Sequence, residues 1–408
     1  MASTIDRIAV AKQRGQGRKM REIKTKIQQH MSEARDQLQE VNRFIFKHPE
    51  VGFREKESSR KLIEVLKKHG FQVVNPLGEM ETAFSATFPS EVERPHIAFL
   101  AEYDALPEIG HACGHNLIAT AALGASLVMA RIIPSLTGKV SVIGTPAEEV
   151  LTDSGKMRLL AAGVFDDIDV AMIVHPHSQT WLDKPFLSID EVSVHFTGKS
   201  SHAASSPHLG INAYDAVQLT FIGLSFLRQQ LRQDARIHWG DLKIGGAKNV
   251  IPDRSSATIS VRASTDEYTQ AMREKVINCI KGASLMTGCG VTYETFQGFR
   301  AMKYNRILNG VFAENMRRLS VTIDELPQYG MAGSTDMGNV SRVVPSLHPF
   351  FKIGDQAVPH TVEFREAVIT EGAFQATLIA AQAMVLTAVD LLTDPVLLPK
   401  VRKEFERT

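Results

Sequence analysis

The sequence is poor in cysteine and nearly balanced in charge, and each feature excludes a class of protein. Only three of the 408 residues are cysteine, too few for the disulfide framework of a small secreted fold. Lysine and arginine number 46 against 45 acidic residues, so the basic excess typical of a nucleic-acid binder is missing and we expect no such partner. A content of 44% hydrophobic residues excludes a disordered chain, and the length predicts two or three domains, or two with one of them split.

A secretory signal is also missing, because residues 1–30 contain eight basic residues but no compact apolar run. We expect this segment to be a solvated tail that runs into a first helix, with an organelle-targeting segment as the alternative. The stretches 109–130 and 372–389 contain no charged residue and are long enough to cross a membrane. Their alanines and interspersed polar residues favour buried helices instead, so we expect a cytoplasmic protein without membrane contact.

Apolar periodicity predicts an α/β domain in the first part of the chain. Helices are expected over 33–46, from a cap at Ser58 or Ser59, and over 116–133. Strands are expected over 71–74, 82–88, 96–101, 140–143 and 170–174. The last three strands are short apolar runs of the kind buried in parallel or mixed sheets. Their alternation with a helix is typical of layered α/β proteins.

The pattern changes after Pro185, where apolar and polar residues alternate as in strands with one exposed face. The expected elements are strands over 187–197, 237–244, 256–262 and 291–296, with helices over 212–232 and 266–286. This order is that of a ferredoxin-like α+β fold. We therefore predict one α/β domain, formed by 1–186 and 300–408, that is interrupted by an α+β insert, 187–299.

The loop 101–116 directly follows one predicted buried strand and is rich in groups that bind metals or transfer protons. Its candidates are Glu102, Asp104, Glu108, His111, Cys113 and His115. Ligands of open α/β sheets bind beyond the carboxyl ends of the strands, so this loop is a candidate site. Cys113 and His115 leave an extended chain on the same side, where they can hold one metal ion together or one ion each.

Two further strand ends and one late loop carry similar groups. They contribute Glu148 and Glu149, His175, and His360. Adjacent glutamates point apart in an extended chain, so one can coordinate a metal while the other accepts a proton from water. The strand ends should meet at one edge of one sheet, and a set of Cys, His and Glu suits two borderline metals such as zinc, manganese or cobalt.

Taken together, eight phrases of the sequence resemble the M20 metallopeptidase family, and within it the M20D branch of amidohydrolases, aminoacylases and dipeptidases. The phrases are HPEVGFREKESS (48–59), AEYDALPEIGHACGHN (101–116), GTPAEE (144–149), VHPH (174–177), FTGKSSHAA (196–204), NVIPD (249–253), STDMGNVS (334–341) and VPHT (358–361). They follow the family order through most of the chain. The run CGHNL at 113–117 is closest to the dipeptidase-like and aminobenzoyl-glutamate hydrolase-like members.

The resemblance implies a di-metal α/β domain with an inserted α+β dimerisation domain, and hence a homodimer. The metal ligands it implies are Cys113, His115, Glu149, His175 and His360. It also implies Glu148 as general base and Asp104 as the acid that orients a ligand. His202 would donate a hydrogen bond to the oxyanion in the other subunit's site. Candidates for binding the substrate carboxylate are Asn249, Arg254 and Arg262.

The function implied is metal-dependent hydrolysis of an amide bond in an N-acyl amino acid or a dipeptide with a free carboxylate. Two alternatives belong to other classes: a non-catalytic relative that binds a partner through its insert, and a dinuclear phosphoesterase. The presence of every implied ligand and of Glu148 argues against the first alternative. The motif loops contain no Arg/Lys clamp for phosphate, which argues against the second.

Overall fold

A computed structural model describes residues 4–327, 332–355 and 358–407, and for residues 4–21 and 24 it describes the backbone alone. The helices are α1 Thr4–Lys47, α2 Lys56–Lys68, α3 His115–Ile132, α4 Gly155–Ala161, α5 Ala213–Leu227, α6 Asp266–Thr287, α7 Arg306–Arg318, α8 Met337–Val340, α9 Val362–Ala367, α10 Glu371–Thr393 and α11 Leu397–Arg407. The strands are β1 Gln72–Val74, β2 Phe84–Phe88, β3 His96–Ala101, β4 Lys139–Gly144, β5 Val170–Met172, β6 His175–His177, β7 Ser188–Thr197, β8 Arg236–Ile244, β9 Arg254–Ala263, β10 Gly290–Gln297, β11 Ser346–Leu347 and β12 Phe350–Lys352.

A six-stranded mixed sheet forms the centre of the larger part, in the order β1-β2-β4-β3-β5-β11. Strands β4, β3 and β5 are neighbouring and parallel, whereas β1 and β2 are antiparallel to their neighbours. Alternate residues of β3 point to opposite faces. Ile97 and Phe99 pack in the core shared with α1, α3 and α10, and Ala98 and Leu100 pack in the core on the other face. This confirms the predicted α/β class with a mixed sheet and flanking helices.

Helix α10 contains the uncharged stretch 372–389, and α3 contains the part of the stretch 109–130 that follows residue 114. They are the two helices of the described chain that are long and apolar enough to cross a membrane by composition. In the most apolar part of each helix, 89% of the residues of α3 and 67% of the residues of α10 are buried inside the protein. They pack on each other and on α1, and so supply the core that covers one face of the large sheet.

The four-stranded antiparallel sheet has the order β10-β7-β9-β8 and is covered by α5 and α6. Numbered along the segment, its strands lie in the order 4-1-3-2, which is the ferredoxin-like arrangement predicted from the sequence. Apolar residues of β7, such as Val192 and Val194, pack against the helices in a core of their own. All of these elements lie between Ser188 and Gln297, and the domain boundaries drawn from the sequence stay a prediction.

Two local predictions were wrong. Helix α1 begins at Thr4 rather than near residue 33, since no proline precedes Pro49 and Ile23 and Ile27 are buried against the core. Helix α2 begins at Lys56, and Ser58 lies inside its first turn instead of capping it. The carboxylate of Glu50 accepts hydrogen bonds from the backbone N–H groups of Glu57 and Ser58, which satisfies the helix start from outside the helix.

Candidate metal site

The carboxyl ends of β3, β4 and β5 lie side by side because these three strands are parallel neighbours. Each continues into a segment that carries candidate residues: Glu102 and Asp104 after β3, Glu148 and Glu149 after β4, and His175 after β5. The loop after β3 returns into α3, which begins at His115. The strand ends therefore bring these side chains to one edge of the sheet, as expected from the sequence.

The five implied metal ligands lie together. The Cys113 Sγ atom is 3.5 Å from His175 Nε2, and His360 Nε2 is 3.2 Å from Glu149 Oε1. Each of the following sets has one donor atom per residue within 4.8 Å of the others: Cys113, His115 and His175; Cys113, Glu149 and His360; His115, Glu148 and Glu149. Because the sets share residues, the cluster has enough donor atoms for two adjacent metal positions.

The hydrogen bonds of His115 and His175 leave one lone pair of each ring free for a metal. His115 Nδ1 lies 2.8 Å from Asp104 Oδ1, so it carries the proton, and the buried Nε2 atom has no hydrogen-bond partner among the described residues. His175 Nδ1 donates to the carbonyl of Pro176 at 2.8 Å, which leaves the Nε2 lone pair facing Cys113. A carboxylate or carbonyl behind each imidazole is the usual support of metal-ligating histidines. The residues therefore fit a metal centre.

Unusual backbone conformations bring the loops close enough for these contacts. Gly114 has φ 82°, and a Cβ atom there would lie 2.5 Å from Pro176 Cγ, so a residue with a side chain would push the two ligand loops apart. Ala147 has φ 57° and its N–H donates to the Glu55 carboxylate at 2.8 Å. His360 has φ 68°, and its N–H donates to the carbonyl of Ala112 at 2.8 Å.

Sequence reasoning missed a buried lysine beside the general-base candidate. Lys156 Nζ donates to Glu102 Oε1 at 2.6 Å and to Asp336 Oδ1 at 2.7 Å, and all three side chains are buried. Glu102 and Asp336 lay inside recognised phrases, but Lys156 sits in α4 with no local feature that marks it. Burial opposes the lysine charge, yet the carboxylates of Asp336 and Glu102 outweigh it and raise the pKa of Lys156.

Glu148 stands between this triad and the metal cluster. Its Oε2 atom is 3.9 Å from His115 Nε2, and its side chain is 12% exposed, so it is open to a substrate or a water molecule. Burial, followed by the neighbouring carboxylates of Glu102 and Glu149, raises the pKa of Glu148. A carboxylate whose conjugate acid has a raised pKa is a stronger base than an ordinary exposed carboxylate.

The candidates of the insert lie apart from this cluster. Strand β7 starts at the junction between the insert and the α/β domain, where the N–H of Ile189 donates to the carbonyl of Phe299 at 2.9 Å. The ten residues of β7 span about 30 Å. His202 follows the far end of this strand and is exposed. The N–H of Ala203 donates to the carbonyl of Asn249 at 3.0 Å, so His202 and Asn249 are on neighbouring loops.

The two candidate arginines occupy opposite ends of β9. Arg254 pairs with Thr197 at the far end, close to the loops of His202 and Asn249, and is exposed. Arg262 pairs with Ile189 at the junction, and its Nη1 atom donates to Ser334 Oγ at 3.3 Å. The two arginines therefore cannot serve the same site within one chain.

The ring of His202 has a defined hydrogen-bonding state. Its Nδ1 atom accepts hydrogen bonds from the N–H groups of Ala204 and Ser205, both at 3.2 Å. In the neutral ring the proton must then be on Nε2. His202 thus presents an N–H donor to the surface.

The parallel strands of the mixed sheet end beside a cluster of one thiol, three imidazoles and carboxylates. A partly exposed glutamate lies next to this cluster. Together these features define a metal-dependent hydrolase. Residues 98–379 match the model of peptidase family M20/M25/M40. The chain belongs to this family and is a metal-dependent amidohydrolase, in agreement with the resemblance found in the sequence.

Relatives and solved structures agree with this assignment. The chain is 37% identical to the Xaa-Arg dipeptidase of Mus musculus over 94% of its own length and 92% of the relative's. It is 29% identical to one chain of the p-aminobenzoyl-glutamate hydrolase of Escherichia coli K12, over 95% of this chain and 96% of that one. Its fold matches a dinuclear metal-binding M20 peptidase of Bacillus subtilis with a TM-score of 0.68, at 21% identity over 88% of this chain and 99% of that one.

Proposed function

We propose that the protein hydrolyses the amide bond of a dipeptide or an N-acyl amino acid that has a free carboxylate on the leaving side. The observation that carries this proposal is the contact of Glu148 with a five-residue cluster of metal donors at the ends of three parallel strands. The names of the relatives support it, since one is a dipeptidase and another is part of a p-aminobenzoyl-glutamate hydrolase.

Cys113, His115, Glu149, His175 and His360 would hold two divalent ions in this proposal. Zinc suits the thiol and imidazole donors, and manganese or cobalt suits a mixed oxygen and nitrogen set. When bound, the ions supply Lewis acidity that polarises the amide carbonyl and acidifies water. Asp104 holds the His115 ring in place through its hydrogen bond to Nδ1 and also accepts the N–H of Glu149 at 3.0 Å. One carboxylate thus positions two ligands.

Glu148 is the general base of the proposed reaction. Its raised pKa and its partial exposure allow the carboxylate to take a proton from the attacking water. The same carboxyl group then returns the proton to the leaving amine, so that the carboxylate is regenerated. The products are a carboxylic acid and an amino acid.

His202 is proposed to complete the site of a second subunit. Its Nε2–H is free to donate to the developing oxyanion, and the length of β7 separates it from the junction with its own α/β domain. A homodimer is supported by exposed apolar side chains on the helices of the insert. Phe226 on α5 is 73% exposed and Leu285 on α6 is 84% exposed, which is typical of surfaces that bind another protein. Asn249 and Arg254, next to His202, would contact the substrate carboxylate from the same side.

The proposed location is the cytoplasm, supported by the three cysteines, all of which are free thiols. Cell fractionation of the tagged full chain would test the location. The proposed substrates are small molecules.

The test of the function is turnover by metal-reconstituted protein. The panel should contain dipeptides with C-terminal arginine, leucine or glutamate, p-aminobenzoyl-glutamate, N-acetyl amino acids and phosphate esters, with metal-stripped protein as control. We expect hydrolysis of at least one amide substrate only in the presence of zinc, manganese or cobalt. Metal binding without any turnover would support a non-catalytic protein, and turnover of phosphate esters alone would support a phosphoesterase.

A further inference from the structure

Lys184 lies on an aromatic surface at the entrance of the chain into the insert. It follows β6 and precedes β7, and its ammonium is 4.5 Å from the ring centre of Phe350 and 5.8 Å from that of Phe186. The backbone at this position is fixed, because the hydroxyl of Tyr304 donates to the carbonyl of Lys184. A lysine held over two aromatic faces is oriented by cation–π attraction.

No carboxylate of the described residues pairs with this ammonium group. Among the residues that the structure describes, Lys184 Nζ makes neither an ion pair nor a hydrogen bond, although the residue is half-buried. Burial lowers the pKa of Lys184 to about 8, so the group is still mainly charged at neutral pH. A charge that is partly removed from water without a partner costs free energy, and a bound anion would reduce that cost.

Lys184 is also close to the metal cluster. The ring of Phe350 that lies under the ammonium is 5.1 Å from the ring of His175, so the ammonium is within about 10 Å of this ligand. The neighbouring His348 is buried beside Phe186, and its Nδ1 atom has no partner among the described residues.

We propose that Lys184, seated on Phe350 and Phe186, binds a carboxylate of the leaving amino acid. This inference rests on the proposed amide hydrolysis and adds to it an anion subsite in the same chain as the metal cluster. One residue of extended chain spans about 3.5 Å, and a charge-assisted hydrogen bond adds about 2.8 Å. Together these lengths cover about 6 Å. Because the ammonium is at most about 10 Å from the His175 ring, a carboxylate one residue from the scissile carbonyl reaches Lys184 when that carbonyl lies about 4 Å from this ring. Either the α-carboxylate or an acidic side chain would satisfy this chemistry.

The test compares Lys184→Met with the wild type, because methionine keeps the length and the aromatic contact but removes the charge. Calorimetry with metal-loaded protein measures the binding of free leucine, leucinamide and glutamate. The loss of one charge-assisted hydrogen bond should weaken leucine binding about tenfold to a hundredfold and leave leucinamide unchanged. If Lys184 binds a side-chain carboxylate instead, only glutamate binding should weaken. In turnover assays the same loss should appear in KM, with kcat little changed.

Lys352→Met is the matched control, since Lys352 adjoins Phe351 on the same strand but pairs with Asp355 in solvent. It should bind all three ligands like the wild type, and Lys184→Arg should retain most of the leucine affinity. Equal losses for leucine and leucinamide in Lys184→Met, or no loss for any ligand, would overturn the inference. If the methionine variant does not fold, Lys184→Gln replaces it. The binding assay does not need turnover, so a protein that hydrolyses no amide would contradict the proposed function without deciding the role of Lys184.

Discussion

The two sheets of this protein present their candidate functional groups in opposite environments. At the edge of the six-stranded sheet, the side chains of His115, Asp104 and Lys156 are completely buried and have fixed partners. In the four-stranded insert, His202 and Arg254 are exposed. The partners that fix the geometry of the first region all belong to the same chain. The second offers donors that, in the proposed function, serve the site of another subunit.

This difference separates groups that the fold itself must balance from groups that it leaves open to solvent. Buried charges must be balanced inside the fold, since each unpaired one costs several kcal/mol. Exposed groups carry no such requirement, so the fold does not show what they bind. The predictions below test each region by removing one group at a time.

The largest effect on activity is expected in the buried region, from Glu148→Gln. The amide keeps the volume but cannot take the proton from water, so kcat should fall by about 100-fold or more. Metal content, measured by elemental analysis, should not change. Glu91→Gln, at an exposed position before β3, is the control and should keep its activity. Near-normal turnover of Glu148→Gln would remove this residue from the role of base.

Lys156→Met tests whether the buried region depends on internal charge balance. The change leaves the carboxylates of Glu102 and Asp336 buried without their shared cation, which should destabilise the protein by about 3–5 kcal/mol. Unfolding in urea, followed by circular dichroism, measures the effect. Lys139→Met breaks a pair with the exposed Glu93, which solvent screens, and should destabilise the protein far less. Equal unfolding midpoints for the two variants would contradict the account of the triad.

His202→Ala tests the exposed region. Loss of one oxyanion donor should lower kcat by about 100-fold, with metal content unchanged. Mixing these protomers with Glu148→Gln protomers should restore some activity, because one site of a mixed dimer receives an intact Glu148 and the partner's intact donor. His208→Ala, at an exposed position of the same segment, is the control. If subunit exchange is verified and activity does not return, His202 does not act across subunits.

The smallest of these effects is expected from Cys113→Ser. A hydroxyl replaces a thiolate poorly for a borderline metal, so affinity for zinc should fall by at least about tenfold. Zinc titration against a competing chelator measures it, and Cys279→Ser, on α6 of the insert, is the control. Unchanged affinity and stoichiometry would exclude Cys113 as a ligand.

Local sequence patterns predicted most of the elements and which candidate site residues lie close together. The run 96–101 was predicted as a strand with the bounds that β3 has, and the insert follows its predicted order, because periodicity reports which face of an element is buried. The parallel strand ends then bring Cys113, His115, Glu149 and His175 to one edge. The position of Glu148 beside them follows from the same topology.

Contacts between distant residues could be decided only by the tertiary structure. Lys156 and Asp336 are 180 positions apart, and Lys184 contacts Phe350, which lies on a strand far along the chain. No local sequence pattern therefore reports either contact. The start of α2 depended in the same way on the carboxylate of Glu50, which lies outside the helix. Spacing along the chain thus determined the strands and the residue types at their ends. The balance of buried charges, and the separation of Arg254 from Arg262 along β9, depended on how the folded elements pack.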